Sequence, residues 1–400
     1  MKKIAIIGRG TAGAQAAMHF ACYAKGFDVE WYFDDSIKPQ SVGEGSTAEL
    51  PINLMSTQGF TWSHLDRLGG TVKTGIYKEN WGSVTDSFYH DFYPNRVAMH
   101  FQAHMLHQYA LEELDGKIEM HKQFVGSTDD IDADYVMDCS GTPKDLGDDF
   151  YISESIPVNT ARVWQCPWDI PTFNYTLAIA GKYGWIFGIP LTNRCSIGYI
   201  YNKDFATPEQ IEEDVQYVFD KYNLKAGVDG NYIEFKSYWR KQNFTDRVGY
   251  NGNASFFLEP LEATSTSTMD RCQRWLFDSI MHYDNVPSVN SKYQKFMKQT
   301  ETMIMLHYLP KSKFKTEFWE YANDRAAKHF SEAKNDAELC DQFSHIAANI
   351  DADFIHTNDD KSYSTWIATS MGLHIKKLGL ESLMWDVLVD SRSKKIVNLR

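Results

Sequence analysis

The sequence lacks any apolar run long enough to span a membrane, since the stretch Ile4-Ala5-Ile6-Ile7 stops at Gly8. Behind Lys2-Lys3, that run is also too short for the core of a signal peptide. Positive charge is in deficit: 40 Lys and Arg against 53 Asp and Glu leave a net charge of -13. That balance argues against a nucleic-acid partner, because phosphate binding needs a basic surface. Cysteine is sparse. Cys22, Cys139, Cys166, Cys195, Cys272 and Cys340 show no CxxC or metal-ligand spacing, so they read as reduced thiols. There are no internal repeats or low-complexity segments. These absences predict a soluble, cytoplasmic protein with no membrane and no nucleic acid among its partners.

Aromatic residues, by contrast, are plentiful, with 11 Trp, 22 Tyr and 24 Phe. Such side chains fill cores, and a surplus suits a pocket for a flat organic molecule. A chain of 400 residues allows one large domain or two intimate ones.

The chain is organised around its first residues. Lys2-Lys3-Ile4-Ala5-Ile6-Ile7 reads as a buried strand and runs directly into Gly8-Arg9-Gly10-Thr11-Ala12-Gly13. This is GxGxxG at a strand-to-helix junction. The first glycine serves the tight turn, the second lets backbone approach a pyrophosphate, and the third lets helix pack on strand. Small and apolar residues from Ala14 to Ala24 give a buried helical face. A second strand, Val29 to Phe33, ends at Asp34, about twenty residues on, where an acid takes ribose hydroxyls. Strand, glycines, helix, strand and acid in this order predict a dinucleotide site in a Rossmann-like α/β fold.

Further along, Lys38 to Thr47 is rich in glycine and hydroxyls, with Glu44 between Gly43 and Gly45 and followed by Ser46. It reads equally as a polar connection or as a strap over a cofactor. Residues 49–68 are expected to be helical in part, and Gly69 to Tyr77 to be a turn and a strand. On that pattern alone, Lys73 is a solvated face residue. A helix from about Arg96 to Leu114 would place His100, His104 and His107 on one face, but no carboxylate accompanies them and packing is the expected role; no metal site is assigned. Ile118–Val125 and Asp134–Asp138 read as strands, the second ending before Ser140-Gly141, a further place for backbone to meet a cofactor. Gly184–Leu191 and Arg194–Tyr201 form a hairpin, and Pro208 to Tyr222 is a helix capped by Thr207. A strand from Val248 leads through Gly252-Asn253 to a hydroxyl-rich helix start at Thr264-Ser265, which either holds an anion or merely caps the helix. Beyond Asn290 the pattern is mostly helical, at roughly 290–307, 315–331, 337–348 and 378–391. The expected layout is a nucleotide-binding domain over residues 1–285, with an inserted sheet near 150–205, and a mainly helical C-terminal region over 286–400 that helps to form the substrate site. The fold class is α/β, or α+β overall.

Several of these segments together resemble the flavin-dependent halogenases of the tryptophan-halogenase type. Gly43-Glu44-Gly45-Ser46-Thr47 is similar to the family's strap over the isoalloxazine. Lys73-Thr74-Gly75-Ile76-Tyr77-Lys78-Glu79-Asn80-Trp81 resembles the stretch that begins with its catalytic lysine and ends in Asn-Trp. Trp185-x-Phe187-x-Ile189-Pro190 stands where the family has Trp-x-Trp-x-Ile-Pro. Pro260-Leu261-Glu262-Ala263-Thr264-Ser265 resembles the Pro-Leu-Glu-Ser-Thr-Gly segment that supplies a catalytic glutamate and the halide site. His307-Tyr308 and Phe318-Trp319 resemble the family's C-terminal part. Phe187 for Trp, Ala263 and Ser265 for Ser and Gly, and Asn253 for Asp mark a divergent member; a phage source is compatible with these departures and is carried by none of them.

The resemblance implies an oxidoreductase that uses FAD as FADH2, with O2 and a halide ion. A flavin hydroperoxide would oxidise the halide to hypohalous acid, and Lys73 would deliver the oxidant to an electron-rich phenol- or indole-like ring. Glu262 would orient it and take the ring proton. Thr264 and Ser265 would bind halide. Gly8, Gly10, Thr11, Ala12, Gly13, Asp34, Gly43, Glu44, Gly45, Ser46, Ser140, Gly141, Trp185, Gly252 and Asn253 would hold FAD. Larger halides oxidise more easily, so bromide and iodide are expected to be accepted beside chloride. No NAD(P)H site is evident, which implies a separate flavin reductase as partner; a homo-oligomer is also compatible. Two other readings are a two-component aromatic monooxygenase, favoured by Phe187, and a non-catalytic flavin-binding redox or partner protein.

Overall fold

The structure is a computed structural model that describes residues 1–37, 42–82, 85–92, 97–310 and 312–336, with 339, 375 and 377 besides. The helices expected at 337–348 and 378–391, with Trp366, Trp385 and Cys340, lie outside these residues, as does the strap's beginning at 38–41.

The N-terminal motif folds as its spacing dictates. Strand Lys2–Ile7 pairs in parallel with Phe27–Phe33 on one side and Tyr135–Asp138 on the other, and Val248–Tyr250 and Glu119–Lys122 complete a five-stranded parallel sheet. Helix Thr11–Tyr23 makes the crossover between the first two strands and buries its residues from Thr11 through Phe20. It packs against helices Ala103–Leu114 and Thr264–Ile280. An all-parallel sheet needs this cover, since its crossovers leave both faces apolar.

A second, seven-stranded sheet runs in the order Val228–Glu234, Thr160–Pro167, Arg194–Tyr201, Gly184–Pro190, Thr176–Gly181, Gly75–Glu79, Ser87–Asp91. The expected hairpin is at its centre, with Trp185 facing Ile200 and Pro190 facing Cys195. Every residue of Gly184–Pro190 is buried, which explains a strand that is apolar on both faces. Helix Pro208–Tyr222 covers the sheet through Ile211, Val215, Val218 and Phe219. Its start is a capping box, in which Thr207 Oγ1 accepts from Gln210 N and Gln210 Oε1 accepts from Thr207 N at 2.9 Å. Two three-stranded sheets join the large ones: Glu44–Gly45, Ala98–Phe101 and Thr71–Lys73; and Phe150–Ile152, Tyr238–Arg240 and Phe256–Phe257. Helices Val286–Leu306 and Glu317–Ala333 close the described part.

Residues 49–68 are helical in part, as expected: the left-handed cap at Gly59 ends helix Glu49–Gln58, and the 3-10 turn Trp62–Leu68 follows. Two expectations need correction. The helix expected from Arg96 starts only at Ala103, and His100 belongs to strand Ala98–Phe101. His100 and His107 are therefore buried in different places and His104 is exposed, so the three do not share a face. Gly69 to Tyr77 is not a turn and one strand: Thr71–Lys73 and Gly75–Glu79 belong to different sheets, with Thr74 between them. Cys22, Cys139, Cys166, Cys195 and Cys272 carry free thiols.

Candidate active site

The three glycines divide their work. Gly8 has φ +116°, and a Cβ there would sit 2.2 Å from the Cys139 carbonyl oxygen. A Cβ on Gly13 would meet the Gly8 carbonyl oxygen at 2.1 Å, so only hydrogen permits the helix to sit this close to the strand. Gly10 has nothing within 4 Å and stands at the N-cap of Thr11–Tyr23, which no side chain caps. Open backbone at an uncapped helix start fits a pyrophosphate. Asp34 follows Phe27–Phe33 and accepts from Ser36 N at 2.8 Å. Ser140 and Gly141 follow the neighbouring strand, and Gly252 packs against Ala12, where a Cβ would approach at 2.8 Å. Asn253 donates to Thr142 Oγ1 at 3.2 Å.

A cavity of about 920 Å³ opens beside this edge of the sheet, large enough for a sizeable organic group. Thr11, the strap residues Gly43, Glu44 and Gly45, Asn253, Trp185, Phe187 and Ile189 line it, with Lys73, Glu262 and Ser265 also on its wall. Ser140, Gly141 and Thr264 are not on the wall. Glu44 is half-buried, its carboxyl facing Thr11 Oγ1 at 3.4 Å, and burial pushes it up to about 8. Ser46, within the strap, is buried, its hydroxyl accepting from Met99 N at 3.1 Å. The Phe187 ring lies over Gly198, where a Cβ would come within 2.1 Å of it. These residues fit a flavin: glycines and an uncapped helix for its phosphates, and an apolar, aromatic wall for its rings.

Lys73 ends Thr71–Lys73 fully buried, its ammonium donating to the Ser46 carbonyl at 3.0 Å and lying 5.3 Å from the centre of the Phe92 ring. Burial lowers it from 10.5 to about 7; Glu262 pulls it back up and Lys78 pushes it down. At neutral pH its amine is thus part free base. His100 stands behind it, bonded to Thr71 Oγ1 at 3.0 Å and to Thr176 Oγ1 at 2.9 Å. Burial and then the Lys73 charge hold that imidazole neutral.

Glu262 takes the left-handed conformation (φ 67°, ψ 10°), as does Ala263 (φ 54°, ψ 35°), and helix Thr264–Ile280 begins immediately after. Two consecutive non-glycine residues there are costly, about 1–3 kcal/mol each, and such strain concentrates at functional sites. The kink turns the Glu262 carboxylate inward to Lys78, which pairs with Oε1; His307 Nε2 is 3.2 Å from Oε1, and His90 Nδ1 is 3.3 Å from Oε2. Burial alone would raise this carboxyl, but the Lys78 charge above all holds it well below the usual range. Thr264, Ser265 and Thr266 form the first turn of the following helix, without an acidic residue or a side-chain cap. Thr266 is on the cavity wall, and its hydroxyl is buried without a protein partner. Free N–H groups and an unmatched hydroxyl suit a small anion.

Sequence reasoning missed Lys78, His90, His307 and Thr266 as members of this site. Lys73 and Lys78 are an odd number of residues apart, so one continuous strand would point them to opposite faces. The change of sheet at Thr74 brings both to one carboxylate.

Comparison with known proteins adds the following. The family model described as "Tryptophan halogenase" matches residues 3–127 and 101–375. The tryptophan 6-halogenase of Streptomyces toxytricini is 29% identical over 210 residues, 49% of this chain and 40% of that enzyme. The tryptophan 7-halogenase of Lentzea aerocolonigenes is 24% identical over 303 residues, 66% of this chain and 56% of that enzyme. The chain thus spans about half the length of the curated relatives it matches. Among solved structures, a flavin-dependent halogenase from Xanthomonas campestris shares the fold with a TM-score of 0.75 at 17% identity, over 98% of this chain and 95% of that one.

Proposed function

The chain belongs to the tryptophan halogenase family, and from that membership we propose that it halogenates an electron-rich aromatic small molecule at the cavity between Lys73 and Glu262. Reduced FAD, when bound, supplies with O2 the oxidising equivalent that turns halide into hypohalous acid. The protein's own residues do the rest. The uncapped helix at Gly10 and the strap from Gly43 to Ser46 hold the cofactor, and the apolar wall keeps water away from the oxidant. The first turn at Thr264, Ser265 and Thr266 holds the halide without offering a competing nucleophile. Lys73 takes up hypohalous acid, by hydrogen bond from its ammonium or at nitrogen as free base. Glu262 sets the oxidant against the ring and accepts the ring proton. The observation that carries this reading is the pair itself: a fully buried lysine and a fully buried, backbone-strained glutamate on the wall of one cavity beside the dinucleotide motif.

Bromide and iodide serve at least as well as chloride, since larger halides are easier to oxidise, and a separate reductase provides the reduced flavin. A phenol or indole is the expected substrate class. Phe187, smaller than tryptophan and on the cavity wall, favours a second reading, aromatic hydroxylation without halide.

The test is a product assay by mass spectrometry. The protein receives FAD, a flavin reductase with NADH, O2, bromide and a panel of phenols and indoles, beside Lys73→Ala, with catalase and no-enzyme controls. Brominated product lost in the variant is expected. A hydroxylated product indifferent to bromide would replace this reading with the second, and no product from any substrate would count against both.

A further inference from the structure

Two buried lysines attend one carboxylate, and they do not do so equally. Lys73 and Glu262 are on the cavity wall, whereas Lys78 stands behind Glu262, fully buried and off that wall. Among the described residues, the Glu262 carboxylate meets groups from several elements. Lys78 comes from Gly75–Glu79, His90 from Ser87–Asp91, His307 from the end of Val286–Leu306, and Lys73 from across the cavity. Glu259, just before it, accepts from Tyr308 through both oxygens at 3.0 Å; burial pushes it up to about 8, so it is largely neutral at pH 7.

The hydrogen positions around His307 follow from its neighbours. Nδ1 faces the carbonyls of Met303 at 3.0 Å and Ile304 at 3.3 Å, which only accept, so Nδ1 carries the proton. Burial and then the Lys78 charge lower this imidazole to about 4, so Nε2 is bare and accepts from Lys78 Nζ at 2.9 Å. The Lys78 ammonium is therefore held between a carboxylate and an imidazole, 6.0 Å from the centre of the Trp81 ring. Its charge is paired there, off the cavity wall.

We propose that Lys78 is a positioning residue: it is the fixed counter-ion of Glu262, and by taking that place it relieves Lys73 of it. Glu262 then faces the cavity as an oriented carboxylate already neutralised from behind. The Lys73 amine, repelled by the Lys78 charge, can lose its proton and meet hypohalous acid as free base. In that step the nitrogen–halogen bond forms, the halogen–oxygen bond breaks, and the departing hydroxide takes the amine proton to leave as water. The halogen keeps its oxidation state, so no further oxidant is needed. This inference deepens the reading above and rests on it for the identity of the oxidant, but not for the ion pair.

The test compares wild type, Lys78→Met, Glu262→Gln and the double variant. Infrared difference spectra between Lys78→Met and the double variant at pH 7 isolate the Glu262 carboxyl from Glu44 and Glu259, which are common to both. A neutral carboxyl C=O band is expected in Lys78→Met, and none in wild type against Glu262→Gln. In product assays, the acid limb of the rate for Lys78→Met moves to higher pH by more than one unit, with at least a ten-fold loss at pH 7 and partial recovery at alkaline pH. Each single variant loses Tm, and the double variant regains most of it. If Lys78→Met alone does not fold, recovery of a folded double variant carries the same conclusion. A carboxylate that stays ionised without Lys78, an unshifted pH profile, or additive Tm losses would overturn the proposal. If wild type makes no halogenated product, the functional reading fails while the infrared and Tm comparisons still decide the role of Lys78.

Discussion

Lys73→Met is expected to make the folded chain more stable as it abolishes turnover. Burial takes the Lys73 amine from 10.5 down to about 7. That drop, about 3.5 at about 1.36 kcal/mol each, withholds ~5 kcal/mol from the folded state at acidic pH. The folded pKa is depressed, so the unfolded chain holds the proton more tightly between about 7 and 10.5, and the wild-type fold gains stability as pH rises through that window. Methionine keeps most of the stem without the charge. It gives up the hydrogen bond to Ser46, about 1 kcal/mol, and the cation over the Phe92 ring, about 0.5–2 kcal/mol. The net gain is ~2–4 kcal/mol at pH 6. With an unfolding entropy of about 2.1 cal/mol/K per residue over 400 residues, this becomes a Tm rise of about 2–5 °C. At pH 9, well above the folded value, most of the advantage has gone and the Tm gap nearly closes. Scanning calorimetry of both proteins at pH 6 and pH 9, without flavin, measures this. Glu44 and Glu259 titrate in both proteins and drop out of the difference. A variant less stable than wild type at pH 6, or a gap of the same size at pH 9, would refute the storage of Lys73 as a buried, readily deprotonated amine.

Four further outcomes follow from the same geometry. Gly10→Ala should keep its Tm within about 1 °C, since nothing lies within 4 Å of the new Cβ, yet weaken FAD binding at least about ten-fold by crowding the phosphates; calorimetry and flavin titration separate the two effects. Gly13→Ala, which drives a Cβ to 2.1 Å from the Gly8 carbonyl, should instead lose Tm outright, with about 1–3 kcal/mol or more of strain. Thr266→Val removes the unmatched hydroxyl and should raise the KM for bromide about three- to ten-fold with FAD affinity unchanged, read from steady-state rates against bromide. Glu44 is neutral below about 8 and an anion above it, so FAD affinity should fall as pH rises through about 8, and Glu44→Gln should flatten that dependence in flavin titrations from pH 6 to 9.5.

What the sequence made legible was local. The strand, glycines and crossover helix of the N-terminus each follow from contacts within a few dozen residues, and so do the hairpin at Thr192-Asn193 and the Thr207 capping box. The helix expected from Arg96 went wrong for a related reason: histidines at helical spacing carry no mark of the strand that Ala98–Phe101 forms by pairing with Thr71–Lys73, far away in the chain. Lys73 read as a solvated residue from its strand alone, because burial there is decided by Ser46, Phe92 and Glu262, none of them near in sequence. Resemblance to a family singled out Lys73 and Glu262. It gave no role to Lys78 or His307, whose part depends on a change of sheet and on a helix end more than two hundred residues away.

Thr74 is one residue long as a connection, and it is pinned on every side. Its N–H donates to the Asn174 carbonyl at 2.9 Å, its carbonyl accepts from Phe92 N at 3.3 Å, and its hydroxyl bonds to Tyr89. A joint of this kind has no slack. The small sheet that carries Lys73 and the seven-stranded sheet that carries Lys78 are tied through this one residue, and a hinge between them would shear the very pair of amines that share Glu262. Ligand traffic through this cavity therefore cannot be gated by those two sheets parting, and any opening that admits or releases a molecule has to come from elsewhere on its rim.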